Sequence, residues 1–373
     1  MKAVGWLLAV CAPGWLACSS APVSGDPGPQ GGADTNESGA PSSSAGAGGS
    51  VGAGEGGQAP LGGAAGTPSE ALGGEAAEGG GMGTAAPEGG AGGACDSEPV
   101  AVGTLDSPAL SEVSGIVASA RNPGVYYVHN DSGDTARFFA IDEQGRTLAE
   151  LALDGADAVD WEDIALGPGP GGGSFVYLGD IGDNEARVGG TPRASINVYR
   201  VPEPLILSDE APEPLVVDWE RLSLSYPTAA HDCEALLVDP KRSELLLVTK
   251  ENDGKSSVFR ASALAAAEAK QTLELVTQIE VGTTQAPGSS LITGGELSPL
   301  GDGILLRTYT SVFFWSRPAT ASIAEAFASA PRQLLAPDEE QGESITFTAD
   351  GSSYLTVSED AQAPVFRAEL CDL

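Results

Sequence analysis

Past residue 99 the chain alternates short apolar runs with turn-forming residues. Val125-Tyr126-Tyr127-Val128, Phe175-Val176-Tyr177-Leu178, Leu245-Leu246-Leu247-Val248 and Tyr354-Leu355-Thr356-Val357 are the strongest runs, and turns such as Asn122-Pro123-Gly124 and Ala349-Asp350-Gly351 punctuate them. Runs this short, rich in β-branched and aromatic residues and bounded by Pro, Gly and Asp, predict β-strands. A recurring hairpin organises them. It opens on a small or acidic residue before an aliphatic stretch, at Ser114-Gly115-Ile116, Glu162-Asp163-Ile164, Glu234-Ala235-Leu236, Thr293-Gly294-Gly295 and Glu343-Ser344-Ile345. It closes on a polar residue, at Asp131, Asp180, Glu251, Tyr309 and Glu359, giving separations of 17, 18, 17, 16 and 16 residues.

One hairpin built several times at near-constant spacing is the sequence mark of a β-propeller. Third strands follow, at Phe138-Phe139-Ala140-Ile141, Ser257-Val258-Phe259 and Val365-Phe366 among others, and weaker fourth strands lie near 148–153, 216–224 and 273–281. The fold class is therefore all-β, a single propeller of four-stranded blades. Five blades are counted. A degraded sixth has room around 200–230, where the interval from Glu162 to Glu234 stretches to 72 residues. A β-sandwich would explain the strands but not the recurring acid. The run 100–105 has no partner before it and is expected to complete the last blade, closing the ring. Alanine-rich stretches at 261–270 and 319–330 predict short helices.

In a propeller the start of each innermost strand and the end of the next lie at one mouth of the central channel. Asp131, Glu162, Asp180, Glu234, Glu251, Glu343 and Glu359 should converge there, with Asp183 in the dense loop Gly179-Asp180-Ile181-Gly182-Asp183-Asn184. Crowded carboxylates repel, and a hard cation such as Ca²⁺, which takes six to eight oxygens, relieves them. Asn130, Asn184 and Asn252 could add carbonyl oxygens, and Tyr309 is a further ligand-binding candidate. The alternative is that these acids accept backbone N–H bonds and pin the blades. Neither loop matches an EF-hand. Lys250 and Arg307 are the basic residues expected in the funnel, either to bind an anionic ligand or to pair with neighbouring acids. His129 and His231 flank acids at the expected rim and are the candidate acid–base groups. No G-x-S-x-G elbow accompanies them.

Ahead of the strands, residues 19–94 are Gly, Ala, Ser and Pro with scattered acids and no aromatic, Lys or Arg residue. Such a stretch cannot bury enough apolar surface to offset its ordering entropy, which predicts a disordered tether, leaving 95–373 for the propeller. The net charge of −34 disfavours nucleic acid and anionic lipid as partners. Residues 1–18 read as a secretory signal, with Lys2 before an apolar run too short to span a bilayer. Leu16-Ala17-Cys18 resembles the lipobox of bacterial lipoproteins, in which the cysteine carries the lipid. That resemblance implies a membrane anchor through Cys18 and an extracytoplasmic protein, either an outer-membrane lipoprotein or secreted. In that oxidising setting Cys95 and Cys371, at the two ends of the propeller, are expected to pair, and Cys233 to be a small buried hydrophobe. The protein is expected to be a monomer.

Ser114-Gly115-Ile116, the segment from His231 to Pro240 and the run from Leu245 to Glu251 resemble phytase-like β-propeller proteins, and Glu343-Ser344-Ile345 with Val357-Ser358-Glu359 repeats the pattern. The resemblance implies calcium at Glu234, Glu251, Glu343 and Glu359, and phosphate at Lys250 and Arg307. Three functional classes follow: a propeller that binds a small-molecule or surface ligand with calcium, a calcium-dependent phosphoester or ester hydrolase, and a five-bladed glycosidase.

Overall fold

The computed structural model describes residues 96–207, 213–282 and 286–371. Cys18, Cys95 and the expected tether lie outside the described residues. Five sheets, each with four antiparallel strands and two with a further strand added in parallel at the edge, are arranged around one axis. Blade 1 consists of Val113–Ala118, Val125–Asn130, Arg137–Asp142 and Thr147–Ala152. Blade 2 consists of Trp161–Pro168, Ser174–Asp180, Ile196–Pro202 and Glu220–Ser225. Blade 3 runs Cys233–Asp239, Glu244–Thr249, Lys255–Ser262 and Glu274–Glu280. Blade 4 is Ile292–Leu297, Gly303–Thr308, Val312–Ser316 and Arg332–Leu334. Blade 5 is Gly342–Phe347, Ser353–Ser358 and Pro364–Glu369, completed by Val100–Thr104 from the start of the domain. That last pairing, Val100 opposite Arg367 through Thr104 opposite Pro364, closes the ring as expected.

The first strand of each blade packs beside the first strands of its two neighbours, so these five line the axis. Five hydrophobic clusters fill the five spaces between blades. Alternation along a strand serves two clusters at once. In blade 3, Leu236, Leu245 and Leu247 face blade 2, while Ala235, Leu237, Leu246 and Val248 face blade 4. A strand buried on both faces must be apolar throughout, which is why these segments read as unbroken runs.

Among the described residues, the stretch around 200–230 holds no sixth blade. Glu220–Ser225 is the fourth strand of blade 2, and Leu215–Val216 adds to the outer edge of blade 1 beside Thr147–Ala152. Of the two expected helices, only Ile323–Phe327 forms, opened by a capping box between Ser322 and Glu325. Residues 261–270 instead finish one strand and turn into Lys270–Thr272, which pairs in parallel with Glu220–Ser225. Cys233 is fully buried in the cluster between blades 2 and 3 and donates to the Val248 carbonyl at 3.3 Å, and burial pushes its thiol up, away from a reactive thiolate. Cys371 is disulfide-bonded.

Candidate functional site

The recurring signature residue has a structural cause. In all five blades the first hairpin carries a β-bulge, and the residue skipped in the pairing is the signature residue. It is Ser114 between Val113 and Gly115, Glu162 between Trp161 and Asp163, Glu234 between Cys233 and Ala235, Thr293 between Ile292 and Gly294, and Glu343 between Gly342 and Ser344. A bulge re-aims a side chain out of the pleat. In blades 1 and 4 the re-aimed residue is a hydroxyl that ties neighbouring blades: Ser114 Oγ donates to the Glu162 carbonyl at 2.5 Å and Thr293 Oγ1 to the Gly342 carbonyl at 2.9 Å. In blades 2, 3 and 5 it is a glutamate, and these three gather at the channel mouth.

The bulge also fixes which residue leaves the second strand into that mouth. Paired ends Val113 with Asn130, Trp161 with Asp180, Cys233 with Thr249, Ile292 with Thr308 and Gly342 with Ser358 put Asp131, Ile181, Lys250, Tyr309 and Glu359 at equivalent positions. Backbone bonds agree: the amides of Asp131, Ile181, Lys250 and Glu359 donate to the carbonyls of Glu112, Asp160, Asp232 and Gln341. In blades 2 and 3 the position facing the funnel is therefore one residue away from the acid expected there. Such a slip turns the side chain to the other face. Asp180 points away from the funnel, is fully buried, accepts from the Asp160 amide at 3.0 Å and pairs with Arg193 at 2.9 Å. Glu251 instead meets His231, Oε1 to Nδ1 at 2.8 Å, beside the rings of Tyr226 and Phe259.

Other expected site residues also act as pins. Asp183 caps the short helix Asn184–Val188 and receives the Arg193 amide at 2.7 Å. Asn130 donates to the Ala109 carbonyl and to Asp134. Asn252 lies beside Arg187. His129 is fully buried rather than at the rim, edge-on to Trp161, with its proton affinity lowered to about 4 by burial. Arg307 is also fully buried. It pairs with Glu339 at 2.8 Å and donates to the Ser344 carbonyl at 3.0 Å, so it presents no charge to a ligand. Lys250 does reach the funnel. Its amine pairs with Glu234 at 2.9 Å and donates to the Tyr309 hydroxyl at 3.0 Å. Burial works against this charge, but Glu234, Tyr309, Glu343 and Glu162 outweigh it and hold the amine well above its ordinary value.

The funnel includes two acids that were not anticipated, Asp160 and Asp232. Each lies two residues before a signature glutamate, in Asp160-Trp161-Glu162 and Asp232-Cys233-Glu234, and that shared D-x-E spacing was the available signal. Donor oxygens of Asp131, Asp160 and Glu162 lie within 4.8 Å of one another, and so do those of Glu162, Asp232 and Glu234. The two groups are not equivalent. Asp232 is already occupied by the Asp183 amide at 2.8 Å and by Arg187 at 2.7 Å, and Glu234 by Lys250. Asp131 accepts only from the Ser132 amide, and the carboxylates of Asp160 and Glu162 have no hydrogen bond or ion pair among the described residues. Glu162 is nonetheless buried, with 3% of its surface exposed.

This crowding raises the proton affinity of the whole group. Burial, then Glu234, Asp131 and Asp160, push Glu162 well above the carboxylate range. Burial and Asp232 lift Asp160 to about 6, and burial lifts Asp131 to about 6. Glu234 rises to about 8 through burial, against the pull of Lys250. On the far wall, Glu343 rises to about 8 through burial and the facing Glu359, and Glu359 to about 7 through burial despite its bond with Glu343.

Gly182 completes the cradle. A Cβ there would stand 2.1 Å from Glu162 Oε1 and 2.5 Å from Asp160 Oδ2, so any side chain would displace both. Gly182→Ala is therefore expected to weaken cation binding at this site about tenfold or more without removing a donor, as outer-shell changes do. Titration calorimetry against the unaltered chain checks it.

The fold and site together define a five-bladed β-propeller with a carboxylate funnel at one mouth. No protein-family model matches the sequence, and no curated protein matches it. Among solved structures, a gluconolactonase from Xanthomonas campestris is similar over 72% of this chain and 74% of that one, with 13% identity and a TM-score of 0.39. A likeness at that level carries no argument about the site. The strand pairing itself defines the propeller.

Proposed function

We propose that this propeller binds a ligand at its acidic funnel through a divalent cation, calcium being the first choice, held by Asp131, Asp160 and Glu162. One observation carries the reading: Glu162 is a buried residue whose carboxylate has no partner among the described residues, within ligating reach of Asp160, which has none either, and of Asp131, which accepts only from the Ser132 amide. An ionised carboxylate in such a place costs several kcal/mol unless a cation joins it. Three carboxylates leave several of calcium's six to eight positions open. Lys250, Tyr309, Glu343 and Glu359 are the neighbouring side chains of the funnel, beside which a ligand's oxygens would meet the cation.

The funnel chemistry favours a neutral, oxygen-rich ligand over a phosphoester. Arg307 is consumed by Glu339, and Lys250 by Glu234 and Tyr309, which leaves phosphate no free basic side chain among those expected to hold it. Ester hydrolysis is the second reading. Its support is the hydrogen-bonded Glu343 and Glu359, whose raised proton affinities near 8 and 7 suit proton transfer beside a cation-polarised carbonyl. A glycosidase needs one carboxylate pair set apart, and here the acids converge instead. The proposal also retains the N-terminal lipid anchor at Cys18, an extracytoplasmic location and the Cys95–Cys371 pairing.

Thermal unfolding of chelator-treated full chain, with and without calcium, tests the reading. A saturable rise in midpoint is expected; at a cation concentration 100 times Kd, binding contributes about 2.7 kcal/mol. An unchanged midpoint at millimolar calcium, with magnesium and manganese equally silent, would sink it.

A further inference from the structure

The innermost strands leave the funnel and end at the opposite mouth of the channel, at Ala118, Pro168, Asp239, Leu297 and Phe347. A cavity of about 330 Å³ opens there. That volume falls in the range of small-molecule pockets, about 300–1,000 Å³. Its walls are Ala118, Leu166, Val238 and Leu297 with glycine and proline segments, and a single ionisable residue, Glu296, lines it.

Glu296 is held rigidly from one side. Its Oε2 accepts from Thr346 Oγ1 at 2.7 Å and from the Phe347 amide at 2.6 Å, and Thr346 Oγ1 in turn receives the Ala118 amide at 3.2 Å. Its Oε1 makes no hydrogen bond among the described residues, although 93% of the residue is buried, the complement of its 7% exposure. Two of the three lining serines have their hydroxyl protons committed, Ser119 Oγ to Glu203 at 2.6 Å and Ser298 Oγ to Asp302 at 2.6 Å, and the third is Ser174. A visiting molecule therefore meets apolar walls, the Ser174 hydroxyl and one carboxyl oxygen without a hydrogen bond among the described residues, with no competing positive charge among the lining residues.

We propose that this far mouth is a second binding site, for a small ligand that joins an ammonium group to an apolar body, with the ammonium on Glu296 Oε1. The complementarity is specific. An anion would meet a carboxyl group with no basic residue to offset it, and a purely apolar ligand would leave Oε1 desolvated and unpaired. An ammonium satisfies Oε1 and supplies the missing charge. Burial pushes Glu296 up to about 8, so without a cation the group is held largely neutral. The inference does not depend on the funnel's cation.

Benzylamine hydrochloride and benzyl alcohol, matched in shape but differing in charge, are suitable probes. Titrated into the full chain and followed by protein NMR, benzylamine is expected to bind one-to-one with Kd on the order of 0.1–1 mM, and benzyl alcohol much more weakly. Glu296→Gln should weaken benzylamine roughly tenfold or more and leave benzyl alcohol unchanged. Ala120→Trp, at an exposed rim position, should block both probes without touching the core. If Glu296→Gln fails to fold, the probe comparison and Ala120→Trp still decide. Equal binding of amine and alcohol, benzylamine binding that neither variant alters, or no benzylamine binding at about 10 mM, well above the expected Kd, would overturn the proposal.

Discussion

Glu162→Gln should abolish cation binding in the funnel while leaving the domain folded. The amide keeps the volume of the side chain but removes the one charge shared by both donor groups, leaving Asp131 and Asp160 to hold an ion alone. A drop in calcium affinity of at least roughly 100-fold is expected, beyond the 10–100-fold typical of changes outside the ligand shell. Without metal the same change should be neutral or stabilising. Glu162 has no partner to lose among the described residues, and the amide is uncharged at every pH, so the crowding by Glu234, Asp131 and Asp160 no longer opposes an ionisation there. This opposite response separates a ligand from a pin. Asp180→Asn provides the contrast. Asp180 is fully buried against Arg193 and the Asp160 amide, so its neutralisation should lower the unfolding midpoint with or without calcium. If Glu162→Gln instead destabilises the metal-free chain and leaves calcium affinity unchanged, Glu162 is structural and the funnel reading fails.

The metal-free protein should also lose stability as pH rises from about 5 to 8. Glu343 and Glu359 titrate near 8 and 7 in the folded protein, against an ordinary value of 4.5. Across that window the folded chain holds protons that the unfolded chain has released, so raising the pH favours unfolding. The stabilisation is full below about 4.5 and is lost as pH passes 7 and then 8. Groups with lowered affinity act in the opposite sense: His129, lowered by burial from 6.5 to about 4, adds stability as pH rises to about 6.5 and is outweighed in that part of the window by the raised carboxyls, whereas Asp350, held at about 2 by Thr348 and Ser352, matters only below about pH 4. Shifts of this size correspond to several kcal/mol. At about 2–4 °C per kcal/mol for domains of a few hundred residues, the midpoint should fall by roughly 10 °C. Saturating calcium should remove much of this fall. A metal-free midpoint that is level or rises between pH 5 and 8 would contradict the crowded-carboxylate account.

Both expectations rest on a register that sequence showed only in part. The blades were legible because strands buried on two faces must be continuously apolar, and five such hairpins were visible. The signature residue was legible too, since the bulge occupies the same position in every copy. The closing residue was not. In Gly179-Asp180-Ile181 and Thr249-Lys250-Glu251 the conspicuous acid lies one place away from the position facing the funnel, and only the pairing of Trp161 with Asp180 and of Cys233 with Thr249 reveals the offset. His129 and Arg307 depend on distant partners, Trp161 and Glu339, which no local pattern announces. The acids that complete the funnel, Asp160 and Asp232, were marked by their common spacing to Glu162 and Glu234. Starting each strand at the glutamate hid them.

The most direct test is calcium titration calorimetry on chelator-treated full chain at pH 7, repeated in two buffers of different ionisation enthalpy. The account predicts one-to-one binding with Kd on the order of 1–100 µM, in the range of sensor and extracellular sites. Binding should also release at least one proton, because carboxyls held neutral by crowding must ionise to ligate. No binding, or binding without proton release that persists in Glu162→Gln, would place the cation elsewhere and leave the funnel acids as pins between blades.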